Sequence, residues 1–148
     1  MLGVGNLLTT MGNCCKPVPG DDIVGFITLG KGVTIHRMDC TNILNLTEEN
    51  RLRLVEVEWG EDDVETYPVT LLIEAMDRQG LLSDIMRTLA DEKVNVIATN
   101  TLSDKKNQQA RMAVTIETRD LHQLHRVMDK IHQLHNVTDV VRGAAHNA

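Results

Sequence analysis

The sequence predicts an α+β protein built from two small units in one chain of 148 residues. All three cysteines precede residue 41, which sets the amino-terminal part of the chain apart from the rest. From residue 68 onward, apolar residues recur alternately with the period of a strand and the period of a helix. An acidic stretch lies before Pro68. We therefore assign residues 1–60 to a cysteine module, 61–67 to a linker and 68–148 to a second unit.

The cysteine module is predicted to have a ββαβ-like order. Its predicted elements are a proline- and glycine-containing loop, two strands of a hairpin, a short helix and a last strand, over residues 14–20, 23–28, 33–36, 40–46 and 51–59. Asp39 is a candidate N-cap for the helix. A unit of this size buries little apolar surface, so it needs a further source of stability.

The second unit has the stronger pattern. Its predicted elements are strand, helix, strand, strand, helix and strand, over residues 69–76, 81–92, 94–102, 109–118, 120–135 and 137–143. Asp120 is a candidate N-cap of the second helix. The first helix has an apolar stripe of Leu81, Leu82, Ile85, Met86 and Leu89. The order βαββαβ is that of a ferredoxin-like fold, with one antiparallel sheet and two helices on one face.

Composition excludes several classes of function. No apolar run approaches the roughly 20 residues that a membrane span needs. The first residues lack the basic start and apolar core of a signal peptide, so we expect a cytoplasmic protein without membrane partners. The chain contains no phosphate-binding glycine loop, nucleophile elbow or catalytic triad pattern, so we expect no catalytic residues here.

The cysteines and one histidine form a candidate zinc site. Zinc prefers four thiolate or imidazole ligands in a tetrahedron, and Cys14, Cys15, His36 and Cys40 supply that number. Adjacent side chains usually diverge, so Cys14 and Cys15 can bind one ion only if their loop is unusual. Two alternatives stay open at this point. One is a metal-free cluster of reduced thiols, and the other is a redox switch between the adjacent thiols.

A second candidate site is the turn before the first helix of the second unit. Gly80 permits a positive φ angle, and the amide groups that open a helix bind carboxylates. Asp77 could accept the ammonium group of the same ligand. The turn therefore suits a small amino acid, with candidate binding residues Asp77, Arg78, Gln79, Gly80, Leu81 and Leu82. The alternative is a capped strand-to-helix turn that binds nothing.

Nucleic-acid contact is the third question. The net charge of −6 argues against a basic coat over the whole protein, but a local patch is sufficient for RNA. The cysteine module is nearly balanced in charge, and we select Lys16, Lys31 and Arg37 as candidate RNA-binding residues. The predicted second helix carries four histidines, which could hold a metal but are more simply a solvated face.

Both candidate sites resemble those of a known family. Residues 14–28 and 30–40 resemble the zinc-finger, or conserved-cysteine, domain of the long RelA/SpoT-type stringent-response proteins. Residues 77–85, which begin Asp-Arg-Gln-Gly-Leu-Leu, resemble the opening of their carboxy-terminal ACT domain. The two motifs occur in the same order as in that family and cover almost the whole chain. Cys14, Cys15, His36 and Cys40 match the family's metal positions one for one.

The resemblance implies a regulatory function. It implies that this chain is the non-catalytic, carboxy-terminal region of a larger GTP pyrophosphokinase, a (p)ppGpp synthetase with or without hydrolase activity. In that family the carboxy-terminal half engages ribosomes that carry deacylated tRNA and restrains its own catalytic half. The resemblance also implies that the ACT domain pairs into a homodimer and binds a branched-chain amino acid. An amino-acid-sensing ACT dimer is therefore the alternative function.

Overall fold

The structure is a computed structural model that describes residues 9–30, 32–60 and 66–143. Lys31 and most of the predicted linker, residues 61–65, lie outside the described residues. Two four-stranded sheets form the framework, one in each predicted unit. None of the helices in the described ranges has the length and apolar content that crossing a membrane requires. The α+β class predicted from the sequence is confirmed.

The cysteine module has one strand and one helical turn more than the sequence predicts. Its elements are β1 (Thr9–Met11), β2 (Ile23–Thr28), β3 (Gly32–Arg37), α1 (Thr41–Leu44), α2 (Glu48–Arg51) and β4 (Leu54–Val55). The strand order is β1-β3-β2-β4. The predicted hairpin is the antiparallel pair β2 and β3, and the unpredicted β1 adds a parallel edge to β3.

The predicted strand over residues 51–59 is wrong along most of its length. The Thr47 side chain accepts a hydrogen bond from the Asn50 amide, and two glutamates occupy the first turn that follows. Capping and favourable charge at its start place α2 over Glu48–Arg51, which takes the first residue of the predicted strand. Of the remaining residues, only Leu54 and Val55 pair with β2. The predicted N-cap Asp39 is also wrong, because Cys40 takes that position and Arg37 binds the Asp39 carboxylate.

The second unit has the predicted βαββαβ order. Its elements are β5 (Tyr67–Met76), α3 (Leu81–Asp91), β6 (Asn95–Asp104), β7 (Gln109–Thr118), α4 (Leu121–His132) and β8 (Val137–Gly143). The strand order is β6-β7-β5-β8, and every neighbouring pair is antiparallel. The Asp120 side chain accepts a hydrogen bond from the Gln123 amide, so this predicted N-cap is confirmed.

The core of the second unit follows the predicted apolar stripes with one exception. Alternate residues of β5 and β7 are buried against both helices, namely Val69, Leu71, Ile73, Ala75, Ala110, Met112, Val114 and Ile116. From α3, Leu81, Ile85 and Leu89 enter this core. Leu82 is 44% exposed, so its predicted place in the buried stripe is wrong. It lies one residue beyond Leu81, which rotates its side chain by about 100° away from the core face.

The two units touch along the segment that joins them. Strand β5 begins at Tyr67, which the sequence analysis placed in the linker. The Tyr67 ring meets the Trp59 ring edge to face at 5.6 Å between centroids. The Trp59 indole also donates a hydrogen bond to the Asp21 carbonyl. Val18, from the loop between β1 and β2, is completely buried in the core of the second unit.

Candidate metal centre

The cysteine–histidine centre consists of Cys14, Cys15, His36 and Cys40. Cys14 and Cys15 lie in the turn after β1, His36 lies near the end of β3, and Cys40 is the N-cap of α1. These four side chains offer ligand atoms that all lie within 4.8 Å of one another. The parallel pairing of β1 with β3 places the turn beside His36, so a strand that sequence reasoning missed assembles the centre.

The distances between ligand atoms match a tetrahedral zinc site. Zn–S and Zn–N bonds of about 2.3 Å and 2.0 Å imply edges of about 3.8 Å between two sulfurs and about 3.6 Å between sulfur and nitrogen. The Cys14 Sγ atom lies 3.9 Å from Cys15 Sγ and 3.5 Å from Cys40 Sγ. The His36 Nδ1 atom lies 3.2, 3.7 and 3.8 Å from Cys14, Cys15 and Cys40 Sγ. The donor set and its spacing therefore fit one zinc ion.

The turn makes the adjacent cysteines converge. The Lys16 amide donates to the Gly12 carbonyl, and Lys16 has a φ angle of 47°, which reverses the chain directly after Cys15. Gly12 is required because a Cβ atom there would lie 2.9 Å from His36 Nδ1 and 3.1 Å from the Ile35 carbonyl oxygen. Sequence reasoning missed Gly12 as a site residue. Its only signal is a glycine two residues before the Cys14–Cys15 pair.

Burial sets the electrostatics of the centre. Cys15 and Cys40 are buried, and burial raises the pKa of the Cys14 and Cys15 thiols above the ordinary value. Burial also lowers the pKa of His36, which favours the neutral imidazole that metals bind. The Arg37 amide donates a hydrogen bond to Cys15 Sγ at 3.3 Å. A bound cation would reverse the thiol preference by stabilising the thiolates.

Among the described residues, this is the one candidate metal centre. Groups of three or more metal-type side chains converge at this one place in the ranges that the structure describes. The α4 histidines do not form such a group, which favours the solvated-face interpretation of that helix. The three cysteines are free thiols.

Two of the three candidate RNA-binding residues have partners within the protein. Lys16 Nζ donates to the Thr70 hydroxyl at 3.0 Å, across the boundary between the two units. Arg37 binds both carboxylate oxygens of Asp39, and its side chain is 19% exposed. Lys31 lies outside the described residues. RNA contact at these positions stays a prediction.

The predicted amino-acid turn has the expected backbone. Gly80 has a φ angle of 81° and is the N-cap of α3. Arg78 donates to the His135 carbonyl and to the Asp84 carboxylate, which ties the turn to the segment between α4 and β8 and to α3. Leu81 is buried in the core. The other candidate residues, Asp77, Gln79 and Leu82, are exposed. Ligand binding there stays a prediction.

Comparison with known families agrees with both halves of this description. A family model for the ACT domain matches residues 63–142. A model for the RelA/SpoT RIS domain matches residues 1–60. The chain belongs to the ACT domain family. With the two matches in this order, it is homologous to the carboxy-terminal region of the RelA/SpoT GTP pyrophosphokinases, and we call its second unit the ACT domain from here on.

Named relatives cover the chain almost completely. A GTP pyrophosphokinase of Escherichia coli K12 is 44% identical over 140 residues, which are 95% of this chain and 19% of that protein. A bifunctional (p)ppGpp synthase/hydrolase RelA of Mycobacterium tuberculosis is 39% identical over the same share of both chains. The chain thus spans about a fifth of the length of these relatives.

Among solved structures, the ACT domain from a GTP pyrophosphokinase of Chlorobium tepidum is 18% identical to this chain. The TM-score is 0.47, and the match covers 52% of this chain and 97% of that one. The assignment to the ACT family rests on the family model and on the observed strand order.

We predict about one zinc ion per chain in protein purified without chelators. His36→Asn, Cys14→Ser and Cys40→Ser should each lose the ion, because three ligands leave a structural zinc site incomplete. His125→Asn is the matched control, since His125 is exposed on α4, outside the centre. Elemental analysis of folded protein measures this. Zinc retained in all three ligand variants would contradict the predicted site.

Proposed function

We propose that this chain is the non-catalytic regulatory region of a cytoplasmic GTP pyrophosphokinase, and that it binds ribosomes carrying deacylated tRNA. The observation that carries the proposal is a four-ligand cysteine–histidine centre followed by an ACT domain in one chain that is homologous to the carboxy-terminal region of RelA/SpoT proteins. The parent activity, (p)ppGpp synthesis with or without hydrolysis, belongs to the rest of the protein.

The metal has a structural role in this proposal. Four protein ligands fill a tetrahedral zinc site and leave no position for a substrate, whereas catalytic zinc keeps one open. The cysteine module also buries few apolar side chains. One buried cluster consists of Cys15, Val24, Cys40 and Ile43, two of which are candidate ligands, and Val33 and Ile35 of β3 are buried as well. Metal binding would therefore stabilise the module where apolar packing is limited.

Ribosome binding requires positive charge at the contact. Lys31 stands between Gly30 and Gly32 in the sequence, and Arg37 ends β3. We propose both as phosphate contacts. Lys16 lies in the same module, but replacing it would also remove its hydrogen bond to Thr70. A loss of binding in a Lys16 variant could therefore not be assigned to charge alone. In this proposal, binding to the ribosome also controls the catalytic half. One surface of this region cannot contact the ribosome and the catalytic half at the same time, so ribosome binding changes the contact with the catalytic half.

We predict tighter binding to ribosomes carrying deacylated tRNA than to ribosomes with an empty A site. Replacing Lys31 and Arg37 by Gln should weaken binding and make the logarithmic salt slope less steep by about one unit per lost phosphate contact. Co-sedimentation at several salt concentrations measures both quantities. Equal binding with and without tRNA would contradict the proposal.

Asp39→Asn is the matched control for the role of Arg37. Asp39 occupies the Arg37 guanidinium, so neutralising Asp39 should leave ribosome binding intact or increase it if Arg37 contacts RNA. If Arg37 acts only through its bond to Asp39, Arg37→Gln and Asp39→Asn should weaken ribosome binding equally. That outcome would remove Arg37 from the proposed contact.

We propose amino-acid sensing by an ACT dimer as the second candidate function. Gly80 adopts a positive φ angle, and a Cβ atom placed there would meet nothing closer than Arg78 Nη1 at 3.8 Å. The glycine is therefore needed for backbone conformation, with free space beside the start of α3. Strand β6 forms one edge of the sheet, and its Ile97 and Leu102 are 52% and 70% exposed, which supports pairing with a second copy.

We predict that valine, leucine or isoleucine raises the melting temperature of the protein. At a concentration 100 times its Kd, one ligand stabilises the folded state by about 2.7 kcal/mol. Asp77→Asn should remove the effect by removing the acceptor for the ammonium group. Asp91→Asn is the control, because Asp91 is exposed at the other end of α3. The absence of any shift and any heat of binding for the three amino acids would exclude this candidate.

A further inference from the structure

The segment that directly follows two of the four candidate ligands, Cys14 and Cys15, is anchored in the ACT domain. Directly after Cys15, the chain enters a segment of residues 16–21, which we call the junction loop. The Val18 side chain is completely buried among core residues of the ACT domain. The Pro19 carbonyl accepts a 2.7 Å hydrogen bond from the Leu121 amide at the start of α4. The junction loop therefore has its apolar anchor and a helix-terminal hydrogen bond in the other unit.

Arg142, on strand β8 of the ACT domain, holds both ends of the junction loop. Its Nη1 and Nη2 atoms donate to the two Asp21 carboxylate oxygens at 2.9 and 3.1 Å. Nη2 also donates to the Lys16 carbonyl at 3.0 Å. Asp21 in turn accepts a 2.8 Å hydrogen bond from the Val18 amide. One guanidinium group thus fixes the residue that follows Cys15 and the residue that ends the loop.

The Arg142–Asp21 pair contributes a fixed geometry more than net stability. The Arg142 and Asp21 side chains are 14% and 9% exposed, so removing them from water cancels much of their mutual attraction. A planar guanidinium bound to two carboxylate oxygens nevertheless fixes position and orientation closely. Lys16 needs such support because its positive φ angle is unfavourable for a non-glycine residue. Lys16 directly follows Cys15, and its amide closes the turn that contains Cys14 and Cys15 by donating to the Gly12 carbonyl.

We infer that Arg142 is a positioning residue for the cysteine–histidine centre, acting from the ACT domain through the junction loop. This inference rests on the proposed metal centre. Because coupling between two events is reciprocal, metal binding stabilises the docking of the junction loop by the same factor by which docking strengthens metal binding. Metal binding and the packing of the ACT domain against the junction loop are then energetically coupled. Lys16, Val18 and Asp21 are the residues through which this coupling acts.

The test measures cobalt(II) affinity, with cobalt standing in for zinc, by its thiolate absorption bands in wild-type and variant protein. Arg142→Gln combined with Asp21→Asn removes the pair without leaving a buried charge unpaired. We expect its affinity to fall by about tenfold or more, as for residues that support metal ligands elsewhere. Arg142→Lys alone should lose less cobalt affinity than this double variant. Arg111→Gln is the control, because Arg111 is a 72% exposed arginine on another strand of the same sheet.

A second readout separates positioning from general stability. Cobalt should slow amide exchange in β8 and at the start of α4 in wild-type protein, far from the ligands in sequence, and should not do so in the double variant. Val18→Ala provides an independent route if the double variant does not fold, and it should weaken cobalt binding in the same direction.

The outcomes distinguish the two claims. Wild-type protein that binds cobalt, with variants of equal affinity and unchanged β8 exchange, would overturn the positioning role and leave the metal centre intact. Wild-type protein that binds no cobalt would overturn the metal centre and the positioning role together. Weaker binding in the pair variant and in Val18→Ala, with an unchanged Arg111→Gln control, supports the inference.

Discussion

The turn from Gly12 to Lys16 sets the arrangement of the candidate ligands and the path of the chain toward the ACT domain. It brings two adjacent thiols onto one side of the chain, beside His36 on β3 and Cys40 at the start of α1. The turn is possible because Gly12 has no Cβ atom to strike the imidazole. The same turn directs the junction loop into the ACT domain, so one backbone reversal sets both the ligand geometry and the contact between the two units.

The two units differ in how they reach stability. The ACT domain buries a continuous aliphatic core between one sheet and two helices, and a salt bridge from Glu92 to Arg126 and Lys130 connects its helices at the surface. The cysteine module buries few apolar residues of its own. The contacts of Val18 and Asp21 with the ACT domain add to its own sheet, and apolar patterning alone does not predict them.

Sequence patterning predicted the ACT domain well because its elements are long and periodic. The alternation of Val69, Leu71 and Ile73 placed β5 correctly, and Asp120 marked the start of α4. In the cysteine module, the helical turn capped by Thr47 takes only Arg51 from the predicted strand, and no apolar pattern showed that pairing is limited to Leu54 and Val55. The four candidate ligands could be chosen from residue type and family resemblance. Gly12 and Arg142 could not, because their roles depend on a short parallel strand and on a contact 121 residues apart in the chain.

X-ray absorption spectroscopy at the zinc edge tests the central claim most directly, because it reports the atoms bound to the metal without a crystal. Cys14, Cys15, Cys40 and His36 should give a first shell of three sulfurs at about 2.3 Å and one nitrogen at about 2.0 Å. A shell dominated by oxygen and nitrogen, or one with fewer than three sulfurs, would contradict the account. In that case the convergence of the two adjacent cysteines would have another cause.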